Sequence, residues 1–284
     1  MLFNLQSVRR SAEVAEKHYN LNNALFSHML GPSMTYSCAY WKQAAQLDEA
    51  QTYKMELVCR KLRLEKGLKV LDIGCGWGTL AAYMAEKYQT TVSAVTVSRE
   101  QHEFALRTFG HLPVLWILDD YRNIAGEYDR IVSVGMFEHV GAKNYSLFMR
   151  TVQRVLRPDG LFLLHTIGAN KQKTGLDPWI SKYIFPNGML PSMTSLGKAA
   201  SFFIMEDWEN FGPDYDKTLT AWHERFERGL EQKLFHCSER QRRMFRYYLL
   251  SCAGAFRARD LQLWQIVFSP QGVPGGYTRP VLPA

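Results

Sequence analysis

The sequence predicts an α/β protein built on a mostly parallel sheet with helices on both faces. Three observations carry that expectation. Strand-like and helix-like runs alternate from residue 69 to 167. The strand runs are almost continuously apolar, as strands buried on both faces are. Glycines follow directly on the first of them, at the end of a parallel sheet where ligands gather.

Taken in order, KVLDI (69–73) is the first strand and TLAAYMAEKY (79–88) the helix behind it. TVSAVTV (91–97) is a β-branched strand, and SREQHEFALRTF (98–109) opens with a serine N-cap and an acid in its first turn. VLWIL (114–118), RIVSVGMF (130–137) and GLFLLHTI (160–167) are further buried strands. NYSLFMRTVQRVL (144–156) is the helix between the last two, stopped by Pro158 and Gly160. Ahead of this block, SAEVAEKHYNLNNALFSHML (11–30) reads as a helix or helix pair, then a Gly-Pro break and MTYSCAYW. Behind it, residues 168–215 are rich in aromatics, Gly and Pro. That stretch is too long for a plain connection and is expected to be a lid or substrate-facing insertion. SFFIMEDWENF (201–211) and LQLWQIVFS (261–269) are late strands, with helical KTLTAWHERFERGL and SERQRRMFRYYLLSCAGAF between them. SPQGVPGGYTRPVLPA reads as a loose tail.

Composition narrows the class. With 284 residues, 46% hydrophobic and 21% charged, the chain can bury a sizeable core, which excludes a disordered protein. Five cysteines (Cys38, Cys59, Cys75, Cys237, Cys252) without a CxxC pair argue for reduced thiols in a cytoplasmic protein. The first twenty residues lack the apolar core of about 7–15 residues that a signal peptide carries. No apolar run reaches the roughly 18 residues of a spanning helix. The net charge of +7 favours anionic partners. The densest basic run, ERQRRMFRYY (239–248), is either a solvated helix face or a lipid-facing surface. No nucleic-acid motif accompanies it.

VLDIGCGWG carries Gly74, Gly76 and Gly78 straight after the first strand. A dinucleotide fingerprint would place its third glycine at position 79, which is Thr79. No acid ends the second strand to hold a ribose; Thr96, Ser98 and Gln101 stand there instead. Asp72 with the GxGxG turn resembles motif I of class I S-adenosylmethionine-dependent methyltransferases. A nicotinamide or flavin site and a structural turn remain the alternatives. LDDYR (118–122) follows the third strand, where an acid suits an adenine amino group and Tyr121 can lie against the ring. Asp119 by itself reads as a turn cap.

SVGMFEHVG places Glu138 just past a buried strand. A carboxylate there is costly without a partner or a task. A salt bridge, a metal ligand and an acid–base group all fit at this point.

Several long stretches together decide among them. TYSCAYW (35–41), GMFEHVGAKNY (135–145), LLHTIG (163–168), PWISKYIFPNGMLPS, MEDWENFGPDYDKTLTAW and CAGAFRARDLQLWQIVF, with the glycine loop, resemble the cyclopropane-fatty-acyl-phospholipid synthase family, which includes the mycolic acid cyclopropane synthases. The resemblance covers about residues 12–269. It implies a class I methyltransferase fold, Rossmann-like, with a mostly parallel seven-stranded sheet, a helical N-terminal cover (12–68), a cofactor-binding core (69–167), a lid region with helices (168–260), a last strand (261–269) and a tail (270–284), all one catalytic domain.

The implied reaction delivers the methyl group of S-adenosylmethionine to a cis double bond, then removes a proton to close the ring. An alkene has no acidic proton for a base to take before attack, so the site must align the double bond with the methyl and exclude water. Aromatic faces can steady the resulting carbocation without trapping it. The resemblance implies that the base is a bicarbonate ion held by Cys38, Glu138, His165, Ile167 and Tyr215, Ile167 through its backbone amide and Cys38 through its side chain or likewise its amide. Glu138 beside an anion makes sense if it carries a proton or fixes His165. Like charge and burial both raise its pKa. Cys252 matches a cysteine proposed as catalytic in the family, though this chemistry needs no covalent nucleophile. Cys38, Glu138 and His165 would also suffice for a catalytic zinc. Their spacing is neither helical nor CxxC, so no metal is expected, and His139 is expected to be structural. For the cofactor, the match implies Tyr36, Ser37, Asp72, Gly74, Cys75, Gly76, Gly78, Thr96, Val97, Ser98, Gln101, Asp120 and Tyr121.

The details are closer to the phospholipid enzymes than to the mycolic acid ones. The former carry an additional N-terminal domain of roughly one hundred residues, by typical domain size, which this sequence does not contain. The expected partner is a bilayer surface bearing unsaturated acyl chains, with the protein cytoplasmic and peripheral at the inner membrane face. A homodimer or a separate lipid-binding partner chain stays open. The alternative products are a branched methyl or a methylene, and a partner subunit inactive alone is the non-enzymatic reading.

Overall fold

The computed structural model describes residues 23–172 and 175–282. Residues 11–22 of the helix or helix pair expected over 11–30, and the last two residues of the tail, lie outside the described residues. Helices α1 (Asn23–Leu30) and α2 (Leu47–Lys61) precede the sheet. Then follow β1 (Lys69–Ile73), α3 (Thr79–Tyr88), β2 (Thr91–Thr96), α4 (Arg99–Phe109), β3 (Val114–Leu118), β4 (Tyr128–Val134), α5 (Tyr145–Val155) and β5 (Leu156–Gly168). The chain continues through α6 (Pro178–Tyr183), α7 (Met193–Ala199), β6 (Ile204–Asn210), α8 (Gly212–Glu231), α9 (Glu239–Arg257) and β7 (Gln262–Ser269).

The strands form one seven-stranded sheet in the order β3-β2-β1-β4-β5-β7-β6. The first five run parallel, as the near-continuous apolar runs require, and β7 inserts antiparallel between β5 and β6. Every residue of β7 is buried, because it has a strand on each side and helices on both faces. The strand order reverses beside β1, so the ends of β1, β2 and β4 open a crevice there.

Four expectations are corrected. The run 130–137 stops as a strand at Val134: Gly135 takes φ +67°, which ends the extended backbone, and Phe137–His139 closes a short 3-10 turn. β5 begins at Leu156 instead of 160. Its register against β4 slips between Tyr128 and Arg130, which face Leu156 and Leu161, so Pro158 sits in a bulge that needs no ladder donor from it. α8 starts at Gly212, five residues earlier than expected, because Pro213 stands in the first turn where a missing N–H costs nothing. Finally, the described part of the tail is not loose. Arg279 donates to Asp207 Oδ1 at 2.6 Å and to the backbone carbonyl of Trp208 at 3.1 Å on β6, while Tyr277 Oη donates to the Lys61 carbonyl at 2.8 Å. Lys61 is itself fully buried and ion-paired to Glu209 at 2.7 Å.

Candidate active site

The crevice holds a cavity of about 220 Å³. One wall is the turn after β1. Gly74, Gly76 and Gly78 all take positive φ, and a Cβ on Gly74 would stand 2.6 Å from Met136. Only glycine lets the backbone pass there. Gly74, Cys75 and Gly76 line the cavity. Gly78 does not: a Cβ there would meet the Trp116 ring at 2.7 Å, so its glycine serves packing of α3 against α4 and β3.

The turn after β2 is built from its own side chains. Ser98 caps α4 by accepting from Gln101 N at 3.4 Å, and Thr96 Oγ1 donates to Gln101 Oε1 at 2.9 Å while accepting from Ser98 N at 3.1 Å. After β3, Asp120 Oδ1 accepts from Arg122 N at 3.0 Å, and Asp119 Oδ1 accepts from Asp120 N and Asn123 Nδ2. The cap of the short 3-10 turn is thus Asp120, while Asp119 braces the same turn and lines the cavity beside it. Tyr121 lines the cavity beside these acids, with its hydroxyl buried and unpartnered. From the N-terminal cover, Tyr36 and Ser37 complete the wall with Val97 opposite.

Asp72 ends the cavity at its floor. It is 1% exposed, Oδ2 has no partner, and burial pushes its carboxyl up to about 7. Apart from Gly78, all the residues assigned from sequence to the cofactor line this one cavity. The unpartnered Asp72 and Tyr121 atoms and the glycine-walled turn fit a ligand with a polar amino-acid end and a flat ring.

The second group lies just behind. Ser37 and the residues bracketing Glu138, Met136 and His139, line the cavity, whereas Cys38, Glu138, His165, Ile167, Tyr215 and Cys252 do not. β5 carries His165 and Ile167 on one face, two residues apart. The Gly135 turn leaves β4 alongside, its amide donating to the His165 carbonyl at 2.9 Å. Glu138 Oε1 accepts from the Ile167 amide at 2.7 Å, so that amide fixes the carboxyl group instead of pointing at an anion. Glu138 Oε2 is buried without a partner, and burial pushes the group up to about 7. Gln265, opposite His165 on β7, places its amide nitrogen 3.2 Å from Nδ1. With Nδ1 accepting, the ring proton sits on Nε2, which is buried and unpartnered. Burial first, then the charges of Lys54 and Lys61, hold His165 well below its usual range, so the imidazole is neutral.

Tyr215 is held in the first turn of α8, its ring 4.6 Å from Phe256. Burial foremost holds its phenol well above the usual range. Cys38 Sγ lies 3.9 Å from Thr218 Oγ1 and is kept a thiol by burial. Cys252 is pushed up to about 12, chiefly by burial, so it too is a thiol at neutral pH. His139 is kept neutral by burial and packs its ring against Phe185. Sequence reasoning missed α2 and, on it, Lys54, which lines the cavity with its Nζ 3.0 Å from Ser37 Oγ. A lysine in LDEAQTYKMELVCRK carries no local sign of burial; only the tertiary packing does.

The family model described as mycolic acid cyclopropane synthetase matches residues 6–266. The chain is 55% identical over 276 residues to the cyclopropane-fatty-acyl-phospholipid synthase of Escherichia coli K12, covering 97% of this chain and 72% of that protein. Among solved structures it resembles the cyclopropane synthase MmaA2 of Mycobacterium tuberculosis (TM-score 0.84, 29% identity, 90% of this chain and 97% of that one). It also resembles mycolic acid cyclopropane synthase CmaA1 in complex with SAH and CTAB (TM-score 0.83, 32% identity, 90% and 97%).

Proposed function

This chain belongs to the mycolic acid cyclopropane synthetase family, and from that premise we propose how its own residues carry a cyclopropanation of unsaturated phospholipid acyl chains. It is an S-adenosylmethionine-dependent methyltransferase. When bound, S-adenosylmethionine supplies a methyl group on a cationic sulfur. The glycine turn, Ser98, Gln101, Asp120 and Tyr121 orient that group, and Asp72 faces its amino-acid end. Tyr36, Trp222, Phe185 and Tyr248 form an aromatic cluster next to the cavity, with Tyr36 5.2 Å from Trp222 and Phe185 5.7 Å from Tyr248. These faces keep water out and offer electron-rich surface to a carbocation on the acyl chain.

The observation that carries the ring-closing product is the pair of buried, unpartnered atoms Glu138 Oε2 and His165 Nε2 beside the cofactor cavity. No side-chain base of the usual kind stands ready there: Cys38 and Cys252 are thiols, and the lone pair of the neutral His165 ring, on Nδ1, is taken by Gln265. His165 Nε2–H and a protonated Glu138 can both donate, which suits a small oxyanion. A bicarbonate ion held between them would supply the base for ring closure.

No helix among the described residues is long and apolar enough to cross a membrane. Bilayer contact at the inner membrane face would rest on the outer side of α9, where Arg240, Arg243, Arg246, Tyr247 and Leu250 are exposed, and on Trp179 of α6, 4.5 Å from Tyr247. A second copy or a lipid-binding partner chain would add to that grip. The test is incubation of the purified chain with methyl-labelled S-adenosylmethionine and vesicles of unsaturated phospholipid. Gain of one methylene per acyl chain with loss of the double bond is expected. A branched methyl or exocyclic methylene product would overturn the ring-closing reading, and no turnover at all would favour a subunit inactive alone.

A further inference from the structure

Lys54 is 1% exposed, yet it lines the cofactor cavity. Its Nζ donates to Ser37 Oγ at 3.0 Å, and among the described residues no carboxylate lies within ion-pair distance of it. The contrast with the other fully buried lysine is instructive. Lys61 sits between Glu209 at 2.7 Å and Asp207 at 3.6 Å. A buried ammonium without a counter-ion carries a large desolvation cost and is retained only where something offsets it. Asp72 poses the opposite problem on the same floor: a buried carboxyl with an unpartnered oxygen. The two feel each other's charge without touching, and burial holds Lys54 down to about 8 as it holds Asp72 up to about 7.

Two opposite charges that line one cavity and stop short of pairing are complementary to a zwitterion laid between them. The methyl donor ends in one: an α-amino acid. We infer that Lys54 is the counter-cation for the α-carboxylate of the bound S-adenosyl amino acid, with Ser37 Oγ steering it and Asp72 facing the α-ammonium. The inference rests on the reading of the cavity as the cofactor site. A carboxylate-like oxyanion could also come from a bicarbonate ion behind, since the charge of Lys54 reaches Cys38 and His165. The cofactor is the better source because Lys54, Ser37 and Asp72 all line the cavity while Glu138 and His165 do not.

The test compares two ligands by calorimetry: S-adenosylhomocysteine and 5′-(3-aminopropylthio)-5′-deoxyadenosine, the same molecule without its carboxylate. Lys54→Gln keeps a donor for Ser37 and loses the charge; Lys54→Met keeps the packing volume, so a folding failure of one leaves the other. Expected is an affinity loss of about 10–100-fold for S-adenosylhomocysteine, the range of a charge-assisted hydrogen bond, and less than about 3-fold for the decarboxylated ligand. Equal losses on both ligands would assign Lys54 to packing and overturn the inference. Unchanged S-adenosylhomocysteine affinity, with turnover restored by added bicarbonate, would move the anion to the rear group and overturn it too. If the unaltered chain bound neither ligand, the cofactor reading would fail before Lys54 was tested.

Discussion

The two halves of the site solve the same problem, holding polar atoms in a dry place, in opposite ways. On the cofactor side, the turns after β2 and β3 satisfy their own polar side chains within a few residues, Thr96, Ser98 and Gln101 in one ring of bonds and Asp119, Asp120 and Asn123 in another, and Asp72 Oδ2 and Tyr121 Oη are left for a ligand. Behind it, Glu138 Oε2 and His165 Nε2 come from different strand ends and are left without partners. The first half is a set of turns that fold with their own strands. The second exists only once β4, β5, β7, α8 and the N-terminal cover are assembled. Locally satisfied turns can shape a cavity whether or not ligand is present, whereas a cluster drawn from distant strands and left unsatisfied stores a desolvation cost that a bound group relieves.

The sharpest way to break that division is Glu138→Gln. Glutamine keeps the oxygen that accepts from the Ile167 amide and removes the titration. Turnover should fall by about 10²–10³-fold, the cost of disturbing one group that holds a catalytic anion. S-adenosylhomocysteine affinity should change less than about 3-fold; a matching loss of affinity would dissolve the boundary between the halves. The same variant should be more stable without ligand. The folded pKa of Glu138, about 7, is raised above its unfolded value near 4.5, so its stability contribution is fully present below pH about 4.5 and is lost as pH rises through 7. At pH 8 urea unfolding should therefore favour Glu138→Gln by about 1–3 kcal/mol, and the advantage should vanish by pH 4.5.

Gly74→Ala strikes the other half. A Cβ at φ +82°, 2.6 Å from Met136, must push either the turn or that side chain. S-adenosylhomocysteine binding should weaken by at least about tenfold and stability drop by about 1–3 kcal/mol, the cost of a non-glycine residue in such a conformation. Calorimetry and thermal melting read both, and an unchanged affinity would show that the turn does not contact the cofactor. Smallest is Ser98→Ala, which removes an N-cap worth about 1 kcal/mol in urea unfolding. It should leave turnover within a few-fold, and a larger kinetic effect would mean that the ring of bonds positions ligand directly.

The same division explains what could be read beforehand. VLDIGCGWG and TVSRE are contiguous, so strand, turn and helix start are written side by side, and the cavity wall was legible to within one residue, Gly78. The rear cluster was legible only through its resemblance to a family, since no spacing links residues 38, 138, 165 and 215. The bond from the Ile167 amide to Glu138 could not be read beforehand, because hydrogen-bond geometry is not encoded in residue type. Lys54 was invisible for a different reason: a lysine among charged neighbours reads as solvated, and its burial is decided by a loop seventeen residues earlier in the chain.

The tail pinned across β6 has a bearing beyond its own bonds. β6 is the outermost strand on its side of the sheet, and Ile204 and Met205 are exposed there. Such an edge is a template on which a stray strand can polymerise. Arg279 occupies an outward carbonyl at Trp208, and Asp207 and Glu209 put charge along the strand, tied to Lys61 and Lys42. The carboxyl-terminal segment thus works as a guard on the sheet, denying an intruding chain the backbone acceptor and the flat apolar rim it would need.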